Sequence, residues 1–407
     1  MSNTLIISSG EIISNNPDLL TQIILRLRTK TLLKLKCVSK QWLSLICDPH
    51  FCISHTRYHQ TNGFLSPTAL LLKWIYALPS EFDVIPLKHN RRVRVPFFYY
   101  FNCAPNINVL QSCYGLFLCK SEIENPNNVI SRYFICNPST NKFKEISFPE
   151  NPFKDSEFYV SMAFDPLKSP HYKVICVRKV SDQPSYYKLD VYSSETDSWS
   201  LSRISFSMNV KIRFEDAVFC NGKIHWNCYW RYSLYFDIEN ESLEPFPMPI
   251  STMEAPQERI YFGECRGVLY ISITYFAPMS SEFDVFEMAS DYSHWTLKHR
   301  LYIGDIGKDF PGIIWDIHPN SPAYHWHAPI FSDVCITQFE KNEEPKFVIW
   351  IENKVICYDF NDRAWKPLYD LRPGVTDGSW DGYYYRGFIF PYQSLHAFQY
   401  FENLSSV

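Results

Sequence analysis

A short frame of strand, polar turn and strand recurs along this chain and constrains its fold more than any other feature. Residues 135–143 read ICNPSTNKF, and the frame returns at 191–199, 235–243, 285–295 and 357–365. The first turn residue recurs as Asn137, Ser193, Asp237, Glu287 and Asp359, and each second strand opens on a large apolar side chain. Repetition of this kind predicts a body of many short strands.

A second element precedes three of these copies, reading CYGLF at 113–117, CNGKI at 220–224 and CRGVL at 265–269. A glycine there permits a close backbone approach or a bulge at the start of a strand. The turn residues are separated by 56, 44, 50 and 72 positions, which suits a propeller with blades of about 40–50 residues better than a strict solenoid. Residues 62–100 and the run 383–398 can supply one more blade that closes the ring. We therefore predict a β-propeller over residues 62–401 with six blades, although the spacing allows five to eight.

A helical segment at residues 16–57 precedes this body and follows a flexible leader at residues 1–15. Its first apolar residues recur at steps of three and four, which predicts a helix, and a second run at 32–46 with interleaved basic residues predicts another. Asp48-Pro49 then stops the run, because proline cannot continue a helix. Since about 40 residues are too few for a good core of their own, we expect this unit to need a partner.

The helical segment carries a set of residues in a characteristic order. They are Pro17-Asp18-Leu19-Leu20, Ile23-Ile24, Leu27, Leu33, Lys36-Cys37-Val38-Ser39-Lys40, Trp42, Leu45-Ile46, Pro49 and Phe51. In this order they resemble the F-box. Asn16 and Arg28 stand where the family usually has leucine and proline, near the expected adaptor contact. The body, with CYGL at 113–116, NPST at 137–140 and the frame at 193–199, is similar to the plant F-box-associated propeller, a kelch-related domain. The two resemblances together imply a multidomain α plus all-β fold, in which a small helical F-box is followed by a large β-propeller.

This resemblance implies a non-catalytic subunit of an SCF-type E3 ubiquitin ligase. The F-box would dock on a Skp-type adaptor and through it on a cullin, while the propeller would hold a target protein for ubiquitination. The residues expected to contact the adaptor or to maintain the F-box are Pro17, Leu19, Leu20, Ile23, Leu27, Val38 and Trp42.

The distribution of charge and the use of cysteine indicate which kinds of partner and which cellular compartment to expect. Residues 1–60 hold seven Lys/Arg against three Asp/Glu, a net charge of +4, whereas the remainder holds 32 against 40, a net charge of −8. A basic head on an acidic body suits an acidic protein partner for the head and gives no support to nucleic-acid binding by the body. The 13 cysteines form no Cys-x-x-Cys and often lie in apolar runs, which indicates buried thiols in a cytoplasmic or nuclear protein. No secretory signal and no membrane-spanning run of about 18 apolar residues is found, so no membrane partner is expected.

Patterns for catalysis, cofactors and metals are weak. The chain has no Gly-x-Ser-x-Gly, no phosphate loop and no His-Glu-x-x-His. His318, His325 and His327 are the nearest approach to a metal site, but zinc or copper needs a further ligand, and an exposed aromatic-rich loop is the favoured interpretation. Asp377 and Asp381 each precede glycine, which is typical of tight turns. We therefore expect no cofactor and no metal.

Rigid aromatic and arginine side chains in three segments, 89–94, 315–327 and 380–386, are candidate anchors for the target. The competing interpretation for each segment is core or hairpin packing. The candidate residues are Trp315, Tyr324, Trp326, Trp380, Tyr384 and Arg386. Two functional alternatives stay open, a propeller enzyme or glycan-binding protein with an incidental helical leader, and an F-box protein that acts outside the ligase.

Overall fold

In the part of the chain that it describes, the computed structural model contains four short helices followed by six antiparallel sheets that form the blades of a propeller. The prediction of a helical F-box followed by a six-bladed propeller is confirmed. The structure describes residues 13, 16–62, 66–73, 82–87, 107–125, 128–149, 157–182, 185–208, 212–228, 230–249, 257–275, 282–302, 310, 331–340, 343–351, 354–370 and 397–407.

The helices differ from the predicted pair, because capping residues divide the segment into more pieces than the apolar spacing indicates. The run predicted as one helix over 32–46 is two helices, since the side chain of Ser39 accepts a hydrogen bond from the Trp42 amide at 3.2 Å and starts a new helix. The four helices are α1 (Pro17–Ile24), α2 (Thr29–Leu35), α3 (Lys40–Cys47) and α4 (Pro49–Thr61).

Asp48-Pro49, predicted to stop the helical run, also begins α4. The Asp48 carboxylate accepts a hydrogen bond from the Phe51 amide at 2.9 Å, and Pro49 occupies the first turn. Proline is well suited there because its missing N–H would have no partner within the helix.

The strands fall into blades in chain order. Blade 6 begins with β1 (Ala69–Lys73) and β2 (Phe82–Pro86). Blade 1 holds β3 (Ile107–Cys113), β4 (Leu116–Asn125), β5 (Asn128–Asn137) and β6 (Lys142–Ile146). Blade 2 holds β7 (Phe158–Ala163), β8 (Lys173–Asp182), β9 (Ser185–Ser193) and β10 (Ser198–Ser207). Blade 3 holds β11 (Ile212–Cys220), β12 (Lys223–Cys228), β13 (Tyr232–Asp237) and β14 (Ser242–Pro247). Blade 4 holds β15 (Gln257–Cys265), β16 (Val268–Tyr275), β17 (Glu282–Met288) and β18 (Trp295–Tyr302). Blade 5 holds β19 (Phe331–Thr337), β20 (Lys346–Ile351), β21 (Lys354–Asp359) and β22 (Ala364–Asp370), and β23 (Ala397–Tyr400) returns to blade 6.

The ring closes through β23, which pairs antiparallel with β1 so that Ala69 lies opposite Tyr400. On its other side, the Gln399 side chain donates a hydrogen bond to the Ile336 carbonyl of β19 at 3.4 Å. Of the predicted closing run, residues 383–396 lie outside the described part of the chain. Early and late segments of the chain therefore share one sheet, which locks the ring.

The recurrent turn has a physical cause in its first residue. The Asn137 side-chain oxygen accepts a hydrogen bond from the Ser139 amide at 2.9 Å, and the Asp237 carboxylate accepts from the Glu239 amide at 3.1 Å. Asx side chains favour such turns because they satisfy amides that the strand ladder leaves free. The predicted turn position Glu287 is wrong, because β17 does not end at Glu287 but continues to Met288, and the turn follows at residues 289–292.

The three Cys-x-Gly elements close two-residue hairpins and do not form bulges. Gly115, Gly222 and Gly267 have φ of +89°, +80° and +77°, and the residue before each one also has a positive φ. Two successive residues of positive φ suit the twist of a tight hairpin. The repeat thus marks the turn between the first two strands of blades 1, 3 and 4.

Burial of the cysteines agrees with the expectation for reduced thiols. Twelve cysteines lie in the described part of the chain, all as free thiols, and ten of them are buried. Desolvation raises the pKa of Cys52 to about 11 and that of Cys113 well above its usual value. These thiols therefore act as small apolar core residues.

Candidate functional site

Helix α1 has apolar side chains on two faces, and only one of these faces packs against other residues of the helical segment. Leu20 and Ile24 are buried with 1% and 0% of their surface exposed, and they form a core with other residues of the helical segment. Leu19 and Ile23 are 46% and 45% exposed. Since they lie four positions apart, they share the outward face of the helix. We call this pair the α1 outer face.

Further exposed side chains give the helical segment its surface character. Val38 and Leu43 are 58% and 44% exposed, so apolar surface is not confined to α1. Between residues 16 and 47 the exposed basic residues are Arg26, Arg28, Lys30, Lys34 and Lys40. Apolar side chains among positive charges suit an acidic protein partner.

The predicted adaptor-contact residues divide between surface and core. Pro17, Leu19, Ile23 and Val38 are exposed, Leu20 is fully buried, and the half-buried Leu27 and Trp42 pack against the core. Leu20 therefore stabilises the segment from inside. The sequence reasoning did not single out Leu43, because helical spacing alone does not distinguish the inward from the outward side of α3.

The two positions that depart from the family pattern have ordinary structural roles. The Asn16 side chain accepts hydrogen bonds from the amides of Asp18 and Leu19, both at 3.1 Å, and so caps α1 directly beside the α1 outer face. Arg28 precedes α2 with φ −70° and ψ 150°, a φ that proline also adopts.

Two histidines of α4 fasten it to the connection between α1 and α2. His55 and His59 each place Nε2 against the Leu27 carbonyl oxygen, at 2.8 Å and 3.1 Å, and their rings lie 4.2 Å apart. Burial lowers the pKa of His55 to about 4 and also lowers the pKa of His59. Both rings are therefore neutral donors at neutral pH.

The helical segment rests on one face of the propeller. The Arg57 guanidinium donates hydrogen bonds to the Leu167 carbonyl, in the loop between β7 and β8, at 2.9 Å from Nε and 2.6 Å from Nη2. A cleft of about 150 Å³ is lined by residues of both units, among them Ile53, Thr140 and Pro166. This face carries the turns between the first and second and between the third and fourth strands of the blades.

The opposite face carries the turns between the second and third strands, since strands alternate in direction. At the β12–β13 turn of this face, Trp230 and Tyr232 are 59% and 61% exposed, and Arg231 between them is also exposed. Large aromatic side chains this exposed are a mark of interaction sites. These three residues are not among the candidates predicted from the sequence, although the Trp-Arg-Tyr string is a signal that could have identified them.

The six target-binding residues predicted from the sequence lie outside the described residues, as do segment 89–94, the three histidines and the Asp-Gly pairs. The flanking strand ends are described. β18 ends at Tyr302 and β19 begins at Phe331, β22 ends at Asp370 and β23 begins at Ala397. All four ends lie on the face that carries the β12–β13 turn.

Few side chains in the described part of the chain are arranged as a metal site or as a catalytic site. No group of three or more His, Cys, Asp or Glu side chains there could hold a metal ion. None of the described helices has the length and apolar character needed to cross a membrane. Desolvation raises the pKa of Glu264 to about 7, but its carboxyl oxygen accepts a hydrogen bond from the Gly267 amide at 2.6 Å and so supports a hairpin.

Two family models match the chain. The F-box domain matches residues 13–54, and the F-box associated beta propeller domain matches residues 87–262. The first range covers α1 to α3 and the start of α4, and the second covers blades 1 to 3 and the start of the first strand of blade 4.

Curated relatives agree with these matches. The F-box protein At5g07610 of Arabidopsis thaliana is 29% identical over 98% of this chain and 94% of its own length. The F-box/WD-40 repeat-containing protein 1 of the same plant is 24% identical over 56% of this chain and 54% of its own length. Among solved structures, the β-propeller domain of the Trilobed protease from Pyrococcus furiosus matches 63% of this chain and 68% of its own with 12% identity and a TM-score of 0.35, so the fold assignment rests on the six sheets themselves.

Proposed function

Because this chain is an F-box protein with an F-box-associated β-propeller, we propose that it is the substrate receptor of an SCF-type E3 ubiquitin ligase. In this proposal the F-box binds a Skp-type adaptor that carries a cullin, and the propeller binds a target protein. The domain division is residues 1–15 as leader, 16–57 as F-box and 62–401 as propeller. The complex works in the cytoplasm or nucleus.

The observation that carries the proposal is the α1 outer face. Leu19 and Ile23 keep about half of their surface exposed, whereas their neighbours Leu20 and Ile24 are buried in the core of the helical segment. Burying the remainder of each against a partner contributes on the order of 1 kcal/mol. The basic residues nearby add electrostatic attraction, which speeds encounter with an acidic partner.

The mechanism is proximity. A receptor raises the effective concentration of target lysines near the charged ubiquitin-conjugating enzyme and needs no catalytic group of its own. The F-box occupies one face of the propeller, which leaves the face with Trp230, Arg231 and Tyr232 for the target. The closed ring keeps the two sites at a constant separation.

Recovery of a cullin with the tagged full-length protein from plant extract tests this proposal. We expect the wild type to retain adaptor and cullin, and the double variant Leu19→Asp/Ile23→Asp to lose both, because two carboxylates would be buried in the contact. Leu201→Asp is the matched control, since Leu201 is 54% exposed on the propeller.

Recovery of the adaptor without any cullin would favour an F-box protein that acts outside the ligase. Equal recovery of adaptor and cullin by the wild type and the double variant would refute the proposed contact.

A further inference from the structure

We propose that residues 402–407 form a strap that couples closure of the propeller ring to completion of the F-box core and holds the F-box in one orientation. The strap directly follows β23, the strand that closes blade 6. It passes between the two units and contributes buried residues to each. This inference concerns folding and geometry within the chain and does not depend on which partner the F-box binds.

On the F-box side, the strap supplies a core residue that the helices lack. Leu404 is 5% exposed and packs in the same apolar cluster as Leu20, Ile24 and Ile46. The strap backbone is also bound, since the Thr29 hydroxyl donates to the Glu402 carbonyl at 3.3 Å. The Cys52 thiol, 3.7 Å from the Leu404 carbonyl, adds a second contact. The F-box core is therefore incomplete without a residue that lies more than 340 positions later in the sequence.

On the propeller side, Asn403 joins the strap to two turns of blade 1. Its side-chain oxygen accepts a hydrogen bond from Asn137 Nδ2 at 2.6 Å, and its Nδ2 donates to the Tyr114 carbonyl. Its backbone amide donates to the Ser139 hydroxyl at 3.2 Å. Asn403 and Asn137 are 3% and 0% exposed, so these bonds are shielded from water and are costly to leave unmade.

One further hydrogen bond binds the strap to blade 1, and a glycine of the same blade leaves room for the residue that precedes the strap. Asn137 Nδ2 also donates to the Ser405 carbonyl at 2.7 Å, so the residue that forms the recurrent turn holds the strap as well. A Cβ added to Gly115 would lie 2.3 Å from the Phe401 carbonyl oxygen. Glycine at position 115 therefore leaves room for Phe401, the residue from which the chain continues into the strap.

The coupling follows from this arrangement. The strap reaches its place only when β23 has paired with β1, because the two segments are continuous. Leu404 then enters the F-box core, while Asn403 fixes the strap to blade 1. Asn403 makes its hydrogen bonds to propeller and strap residues. A substitution of Asn403 should nevertheless increase local opening of the F-box helices.

Hydrogen exchange of the full-length protein, followed by mass spectrometry without any partner, tests this. We compare the wild type with Leu404→Ala, Asn403→Ala and the control Ser406→Ala, whose side chain is exposed. We expect peptides of α1–α4 to exchange about tenfold faster or more in the first two variants, because the F-box opens locally more often. Peptides of β8 and β9 should keep wild-type protection, and Ser406→Ala should behave as the wild type.

Unchanged exchange of α1–α4 in Asn403→Ala or in Leu404→Ala would overturn the proposal. Should Asn403→Ala also expose β8 and β9, the milder variant Ser139→Ala, which removes one hydrogen bond to the strap, is judged by the same criterion. Because no adaptor is present, this result is separate from the outcome of the cullin experiment.

Discussion

At the scale of single residues, the unusual positions of this F-box are explained by backbone chemistry. Asn16 replaces a leucine of the family pattern and caps α1 through its side chain. The cap satisfies amides at the helix start that have no partner within the helix. It also fixes the helix end from which Leu19 projects.

Replacing Asn16 with alanine should lower the stability of the F-box helices by about 1 kcal/mol, the usual value of a lost N-cap. The loss of stability can be measured by unfolding the protein in denaturant and monitoring the unfolding through hydrogen exchange of the α1 peptide. Asn16→Asp keeps an acceptor at the same place and should retain wild-type stability. Equal stability of the alanine and aspartate variants would show that the cap has no energetic role.

The buried histidine of α4 predicts a pH dependence. The pKa of His55 is lowered to about 4 in the folded protein, whereas an unfolded histidine titrates near 6.5. The unfolded chain therefore takes up a proton that the folded F-box excludes, and stability falls as the pH drops below about 6.5 toward 4. At neutral pH both the folded and the unfolded chain have a neutral His55, so the histidine causes no loss of stability there.

Between pH 7 and pH 5 the loss from His55 should be about 1–2 kcal/mol. His225 in the propeller has its pKa lowered to about 3 by burial and acts in the same direction. Hydrogen exchange of α4 separates the two, and His55→Gln should reduce the pH dependence in α4 while leaving that of β12 unchanged. A pH dependence of α4 that is the same in His55→Gln would contradict the assignment.

At the scale of elements, α1 separates folding from binding on its two faces. Leu20 is buried and Leu19 is 46% exposed, so two neighbouring leucines provide a matched pair. Leu20→Ala should cost about 2–5 kcal/mol of stability. Leu19→Ala should cost less than about 0.5 kcal/mol but weaken adaptor binding. Thermal unfolding and adaptor binding, measured on both variants, check this, and a reversal of the two effects would exclude the assignment of faces.

The β12–β13 turn carries the prediction for the target. Trp230→Ala/Tyr232→Ala should reduce recovery of propeller-bound proteins in proximity labelling by about tenfold, because exposed aromatics are frequent hot spots. Adaptor recovery should stay at the wild-type level, since the F-box lies on the opposite face. Phe143→Ala, an exposed aromatic beside the turn on the F-box face, is the control. An unchanged labelling profile in the Trp230/Tyr232 variant would remove this turn from the target site.

At the scale of the whole molecule, local chemistry was readable from the sequence and long-range contacts were not. The Asx turns at Asn137, Asp237 and Asp359 repeat because each turn is built from its own residues, so the blades could be counted. The outward leucine of α1 could not be separated from the inward one, because both satisfy helical spacing. The strap cannot be predicted from the sequence, because its partner Asn137 lies 266 positions from Asn403 and no local pattern marks such a contact.

The contact between the α1 outer face and the adaptor can be measured by calorimetric titration of purified Skp-type adaptor into the full-length protein. We predict that the wild type and Leu201→Asp bind with equal affinity and that Leu19→Asp/Ile23→Asp binds at least about tenfold more weakly. Equal affinity of all three proteins, or no binding by the wild type, would contradict the proposal that the α1 outer face is the adaptor contact.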